Sequence, residues 1–196
     1  MNYLLHLLLS EPDNGHRIGT ILGDFVKGTL TDQFSPDIMA GLRHHRRIDT
    51  FAGESPIFRR SQQRISPRYG RYRGIMVDLF YDHFTARNWQ LYSDIPLNVF
   101  AGNIYSALQQ QQNLPSQFQK ILPRMIAGNW LCAYRDIATI EKALQHISGR
   151  LRHPNPMSSG IEELLKNYHA LQYDCHSFIA AAVNADGQSR LHSPRK

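Results

Sequence analysis

The sequence predicts an all-α protein built as a single helical domain. Three observations carry that expectation. No segment alternates apolar and polar residues with period two over the length of a strand. No Asn-Gly turn lies between two β-branched runs; the one Asn-Gly, Asn14–Gly15, precedes a helical pattern. Apolar residues instead recur at spacings of three and four along most of the chain.

The elements follow in order. Asn2–Ser10 is a short apolar stretch, closed by the turn cluster Glu-Pro-Asp-Asn-Gly at 11–15. His16–Val26 resumes a helical pattern, and Gly28 is its stop. Ser35-Pro36-Asp37 is a helix start, a capping serine followed by proline at the first helical position. Ile38, Leu42, His45 and Asp49 then share one face. Ser55-Pro56 repeats the start signal, and Pro67 and Gly70 break the chain again. Helices are expected over Arg71–Trp89, Pro96–Gln112, Pro115–Ala127 and Asp136–Gly149, with a loop at His153–Pro156. Ser159–Val183 reads as one long amphipathic helix. The domain is expected to occupy residues 1–187, and the polar, basic stretch 188–196 to be a disordered tail.

A chain of 196 residues is long enough to bury a core without disulfides, and Cys132 and Cys175 alone make no disulfide framework. Reduced thiols point to the cytoplasm. The apolar run Leu4–Leu9 is too short to span a bilayer and lacks the flanks of a signal peptide. The formal charge is +6, and its distribution is uneven. Residues 43–73 hold nine arginines and no lysine against Asp49 and Glu54, a net +7, so the rest of the chain is net −1. Guanidinium groups suit phosphate and carboxylate, so this segment is either a solvated helix face or a docking surface for an acidic or phosphorylated partner. Arginine without lysine, and without a nucleic-acid motif, argues against a nucleic-acid groove.

The chemistry-bearing residues sit in apolar frames. Asp24 lies within Ile-Leu-Gly-Asp-Phe-Val, His45 and Asp49 are four apart, and Asp78 and Asp82 are four apart with His83 following. Residues at i and i+4 share a helix face. Two carboxylates on one half-buried face need a positive partner, either arginine or a divalent metal. The bland alternative pairs the aspartates with nearby arginines and makes His6 and His83 hydrogen-bonded core residues. As a set, a His/Asp shell suits Mn²⁺, Mg²⁺ or Fe²⁺, and without nearby thiolates a zinc finger is excluded. Histidine and aspartate ligands gathered from several helices describe an HD-phosphohydrolase-like helical bundle, though the order here is the reverse, Asp82-His83.

Five stretches carry a closer resemblance: Met-Asn-Tyr-Leu-Leu-His at 1–6, Leu-Gly-Asp-Phe-Val-Lys-Gly at 22–28, His-Arg-Arg-Ile-Asp at 45–49, Val-Asp-Leu-Phe-Tyr-Asp-His-Phe at 77–84 and Trp-Leu-Cys-Ala-Tyr-Arg-Asp at 130–136. In these the sequence resembles the acyl carrier protein phosphodiesterases, noncanonical relatives of the HD hydrolases. The resemblance implies metal-dependent hydrolysis of the phosphodiester between a carrier-protein serine and 4′-phosphopantetheine, with Mn²⁺ the expected ion and the acidic carrier protein the partner. It marks Asp24, His45, Asp49, Asp78, Asp82 and His83 as the metal and catalysis set, with His6 added. On this reading Asp24, His45, Asp49, Asp82 and His6 bind metal and Asp78 completes the shell or acts as base. His83 is the acid, and Arg46 or Arg47 reaches the phosphate. Arg43, Arg59, Arg60 and Arg64 are expected to meet the partner. His44 reads as a surface or substrate-side residue, and Trp130 and Tyr134 as core. The competing readings are an HD-type phosphohydrolase of small nucleotides and a non-enzymatic basic helical binding protein.

Overall fold

Local signals in the chain set where the helices begin. In the computed structural model, which describes residues 3–30 and 33–185, the Ser35 and Ser55 hydroxyls accept the backbone N–H of Ile38 and Phe58. Each serine is followed by proline at the first helical position, as the sequence predicts. The Asp13 carboxylate caps the preceding helix by accepting from the His16 N–H at 2.8 Å.

Eleven α-helices and no strand occur among the described residues. They are α1 (Tyr3–Leu8), α2 (Asn14–Leu22), α3 (Pro36–Glu54), α4 (Pro56–Arg64), α5 (Arg73–Arg87), α6 (Leu97–Gln110), α7 (Ser116–Ala127), α8 (Trp130–Ala133), α9 (Ile137–Arg150), α10 (Ile161–Lys166) and α11 (Tyr168–Ala185). The all-α expectation is met. The stretch 188–196 lies outside the described residues. No described helix is long and apolar enough to cross a membrane.

Helix α5 runs through the middle of the core. Met76, Val77, Phe80, Tyr81 and Phe84 are fully buried, and α1, α4, α9 and α11 pack around them. The tightest pair is α2 against α3. A Cβ on Gly19 would stand 2.0 Å from the Ile38 carbonyl oxygen, and one on Gly41 would stand 1.9 Å from that of His16. Glycine at both positions lets the two backbones touch, and this contact brings His45, midway along α3, against α2.

Two expectations are corrected. The long helix over Ser159–Val183 is broken between α10 and α11 at Asn167, whose φ is −109°. The Asn167 side-chain amide donates to the carbonyl oxygens of Glu163 (3.1 Å) and Arg64 (3.2 Å), closing α10 and tying the break to the end of α4. Its own carbonyl then accepts from the Leu171 N–H. A short polar side chain competes with the helical ladder in this way. The helix expected over Arg71–Trp89 starts at Arg73 instead, because Pro67–Tyr72 forms a 3₁₀ turn with Gly70 at φ +48°.

Candidate metal centre

Two helices, α1 and α3, bring two imidazoles and a carboxylate together. Helix α1 is only six residues long, too short to be stable alone. Leu4, Leu5 and Leu7 anchor it in the core. Its first turn is capped from across the molecule, where the buried Asp82 on α5 accepts the Leu5 N–H through Oδ1 at 2.8 Å. That arrangement fixes His6. On α3, His45 is held by a hydrogen bond from Nδ1 to the Thr20 carbonyl oxygen at 2.8 Å. A carbonyl only accepts, so Nδ1 carries a proton, and the ring presents its other nitrogen, Nε2, to Asp49. The two rings stack with centroids 4.2 Å apart and planes 22° apart. Both Nε2 atoms face Asp49, His6 at 3.4 Å and His45 at 3.3 Å.

The donor atoms of His6, His45 and Asp49 lie within 4.8 Å of one another, and this is the group able to hold a metal ion among the described residues. Both imidazoles are buried, while the Asp49 side chain is 61% exposed, so the group opens to solvent on one side. Burial pushes His6 down to about 4, which keeps it neutral near pH 7. For Asp49, burial acts upward, but the hydrogen bonds to His45 and His6 outweigh it and hold the carboxyl well below its usual range. Imidazole nitrogens and a carboxylate are ligand types that suit a divalent cation. Further donors remain unused: His6 Nδ1, Asp24 Oδ2 and Asp82 Oδ2 are buried without a hydrogen-bond partner. Orphaned buried carboxylate oxygens are costly unless a cation or proton satisfies them, so the residues present fit a metal.

Glycine at position 23 makes room for the centre. A Cβ there would stand 2.2 Å from His45 Cγ. Gly23→Ala is therefore expected to displace the imidazole and cut activity about 10- to 100-fold, the range seen when a ligand's supporting contact is lost. Activity within twofold of wild type, with unchanged metal content, would contradict this.

The sequence profile of the acyl carrier protein phosphodiesterase family matches residues 1–182. The chain belongs to this family. An acyl carrier protein phosphodiesterase of Escherichia coli O6:H1 is 31% identical over 176 residues, covering 88% of this chain and 90% of that one. The Pectobacterium atrosepticum protein of the same name is 28% identical over 174 residues, covering 88% and 90%, and that of Yersinia enterocolitica 28% over 186 residues, covering 94% and 96%. No solved structure matches the chain significantly.

The other residues singled out by the phosphodiesterase resemblance divide into those near this centre and those elsewhere. Burial raises the Asp78 carboxyl, and the charges of Asp49 and Asp24 add to the rise. Burial likewise pushes Asp82 up to about 8, against the Leu5 and Leu4 amides that stabilise its charge and with the Asp78 charge adding. The charges of Asp49 and Asp24 thus act on Asp78, and that of Asp78 on Asp82. Asp82 does more than was expected, because one of its oxygens is the cap of α1.

His83 is elsewhere. It is fully buried, with Nδ1 on the Tyr134 carbonyl oxygen at 2.9 Å and Nε2 on the Tyr168 hydroxyl at 3.0 Å. One residue along a helix turns the side chain by about 100°, so His83 faces away from Asp82 and ties α5 to the segment after α8 and to α11. Both ring nitrogens, including the one an acid role would use, are engaged in these contacts. His44, expected to be a surface or substrate-side residue, is fully buried, its ring centroid 5.1 Å from that of His16.

The arginines of the 43–73 segment divide by their contacts. Arg46 donates through Nη2 to the carbonyl oxygens of Val26 (3.2 Å) and Gly28 (2.7 Å), clasping the chain after α2. Arg47 contacts His44 Nδ1 at 3.3 Å. Arg60 and Arg64, expected on a partner surface, both bind Asp174, which is fully buried on α11, each with a contact of 2.7 Å. Asp174 also accepts from the Ser61 hydroxyl. Arg43 and Arg59 are exposed. Sequence reasoning missed Thr20, which acts through its backbone and leaves no side-chain signal. It also missed Asp174, whose placement as a lone acid among apolar residues of α11 was a usable one.

Proposed function

We propose that this chain hydrolyses the phosphodiester between a carrier-protein serine and 4′-phosphopantetheine, releasing apo-carrier protein and 4′-phosphopantetheine, with a divalent ion, Mn²⁺ first, at the His6–His45–Asp49 group. The observation that carries the proposal is the convergence of two imidazole Nε2 atoms and one carboxylate with one side open to solvent. Membership of the phosphodiesterase family supplies the reaction class. A bound divalent ion supplies a Lewis acid for a phosphoryl oxygen and makes a water more acidic.

The protein's own residues do the rest. Stacking of His6 on His45, and the Thr20 carbonyl behind His45, keep both Nε2 atoms aimed at the open side. Asp78, half-buried and raised by that burial, has the proton affinity suited to accepting a proton from the attacking water. Arg43 and Arg59 are exposed on the arginine-rich segment and offer cations to an acidic carrier protein.

The test is to incubate the protein with holo-carrier protein and Mn²⁺, with and without chelator, and weigh the carrier protein by mass spectrometry. Loss of the phosphopantetheinyl mass only with metal is expected. An unchanged carrier mass, with an active control enzyme in the same buffer, would overturn the proposal.

A further inference from the structure

The chain that leaves α2 continues from Asp24 directly into a surface pocket of about 280 Å³. Its walls include Phe25, Lys27, Gln33, Phe34, Asn113 and Pro115. Several contacts tie the 23–28 stretch that lines it to neighbouring helices. The Phe25 ring packs on Phe118 with centroids 5.0 Å apart. Arg46, the residue after His45, clasps the carbonyl oxygens of Val26 and Gly28. Gly23, immediately before Asp24, lies against the His45 ring. One short stretch, 23–28, therefore borders the proposed centre at one end and the pocket at the other.

The lining has a definite chemical character. Phe25, Phe34 and Pro115 give apolar walls, Gln33 and Asn113 give two side-chain amides, each both donor and acceptor, and Lys27 gives a cation. No carboxylate lines it. That set does not suit a plain hydrocarbon chain, which leaves the amides and the ammonium unanswered. It suits a ligand that alternates amides with small branched apolar groups and carries an anion at one end. The pantetheine arm has this pattern: two amides, a hydroxyl, a geminal dimethyl group and a phosphate at one end. The volume decides how much fits. It lies just under the roughly 300 Å³ at which small-molecule sites begin, enough for the arm but not for a carrier-protein surface.

We infer that this pocket receives the pantetheine arm of the substrate and so selects for the prosthetic group rather than for phosphodiesters in general. The inference rests on the reading of the neighbouring group as a phosphodiester site. The arm lies along Phe25 and Phe34, its amides meet Gln33 and Asn113, and Lys27 faces the phosphate as the product leaves.

Free pantetheine is the probe, because it has the arm but neither phosphate nor carrier protein. Its binding to the full-length protein is read by saturation-transfer NMR, and the KM for holo-carrier protein is measured alongside. The exposed side chain of Gln33 allows Gln33→Trp, which fills the pocket, and Phe34→Ala removes a wall. Thermal unfolding midpoints check that both variants fold. Each variant is expected to weaken pantetheine binding about tenfold, equivalent to about 1.4 kcal/mol, and to raise KM. Pantetheine binding that is absent in wild type, or equal in wild type and both variants, overturns the inference. Wild-type protein that binds pantetheine but leaves holo-carrier protein intact keeps the pocket and overturns the phosphodiester reading. Cleavage with a KM untouched by Gln33→Trp does the reverse.

Discussion

Replacing His45 with Gln should lower carrier-protein hydrolysis by about 10³-fold and abolish stoichiometric Mn²⁺ binding, since a lost Lewis acid is worth several kcal/mol in the transition state. His45 contributes in three ways. Its Nε2 faces Asp49 at 3.3 Å, its ring backs His6, and its Nδ1 ties α3 to the Thr20 carbonyl. The substitution removes Nε2 and the stacking surface together. Asp49→Asn should act in the same direction while sparing the fold, because the Asp49 side chain is mostly exposed. Initial rates of apo-carrier formation and bound metal by atomic emission are the measurements. Activity within tenfold of wild type in both variants would remove these residues from the chemistry.

The second large effect is on stability. Asp174→Ala is expected to cost about 3 kcal/mol in urea unfolding, the low end for breaking a buried ion pair. The low end applies because Arg60 and Arg64 remain 45% and 31% exposed and can rehydrate. Asp174 is fully buried and gathers both arginines and Ser61, joining α4 to α11. Burial alone would raise its carboxyl, but hydrogen bonds from Arg64, Arg60 and Ser61 win and hold it below the usual range. A carboxyl depressed on folding adds stability that is fully present above its unfolded value, about 3.9. That stability fades as the pH falls through the folded value. The wild-type advantage over Asp174→Ala should therefore be constant from pH 7 to 5 and shrink below about 4. An advantage that grows on acidification would contradict the assignment.

Much of this architecture is written locally in the chain. Serine-proline starts at 35–36 and 55–56 set α3 and α4 because capping and proline geometry depend on adjacent residues alone. The His45–Asp49 pair follows from four-residue spacing. What could not be read locally depends on long-range packing. Stacking of His6 on His45 needs α1 against α3, and α1 is placed by Asp82, 77 residues from Leu5. Arg64 and Asp174 meet across 110 residues, so the arginine segment looked like open surface when part of it is an internal tie. His83 enters the expected set through the 77–84 motif, but neighbours on a helix point apart, and its ring meets Tyr134 and Tyr168. The break at Asn167 escaped the apolar periodicity because the pattern continues in phase through it, and only the side-chain amide marks the end.

These residues converge on one claim, that a divalent ion sits between His6, His45 and Asp49. A crystal structure of the Mn²⁺-loaded protein, with anomalous scattering recorded at the manganese edge, tests it most directly. The expected result is a single strong peak within about 2.3 Å of both imidazole Nε2 atoms and an Asp49 oxygen, a typical span for first-row metals bound by nitrogen and oxygen. A peak elsewhere, or none in crystals of protein that cleaves holo-carrier protein, would contradict it.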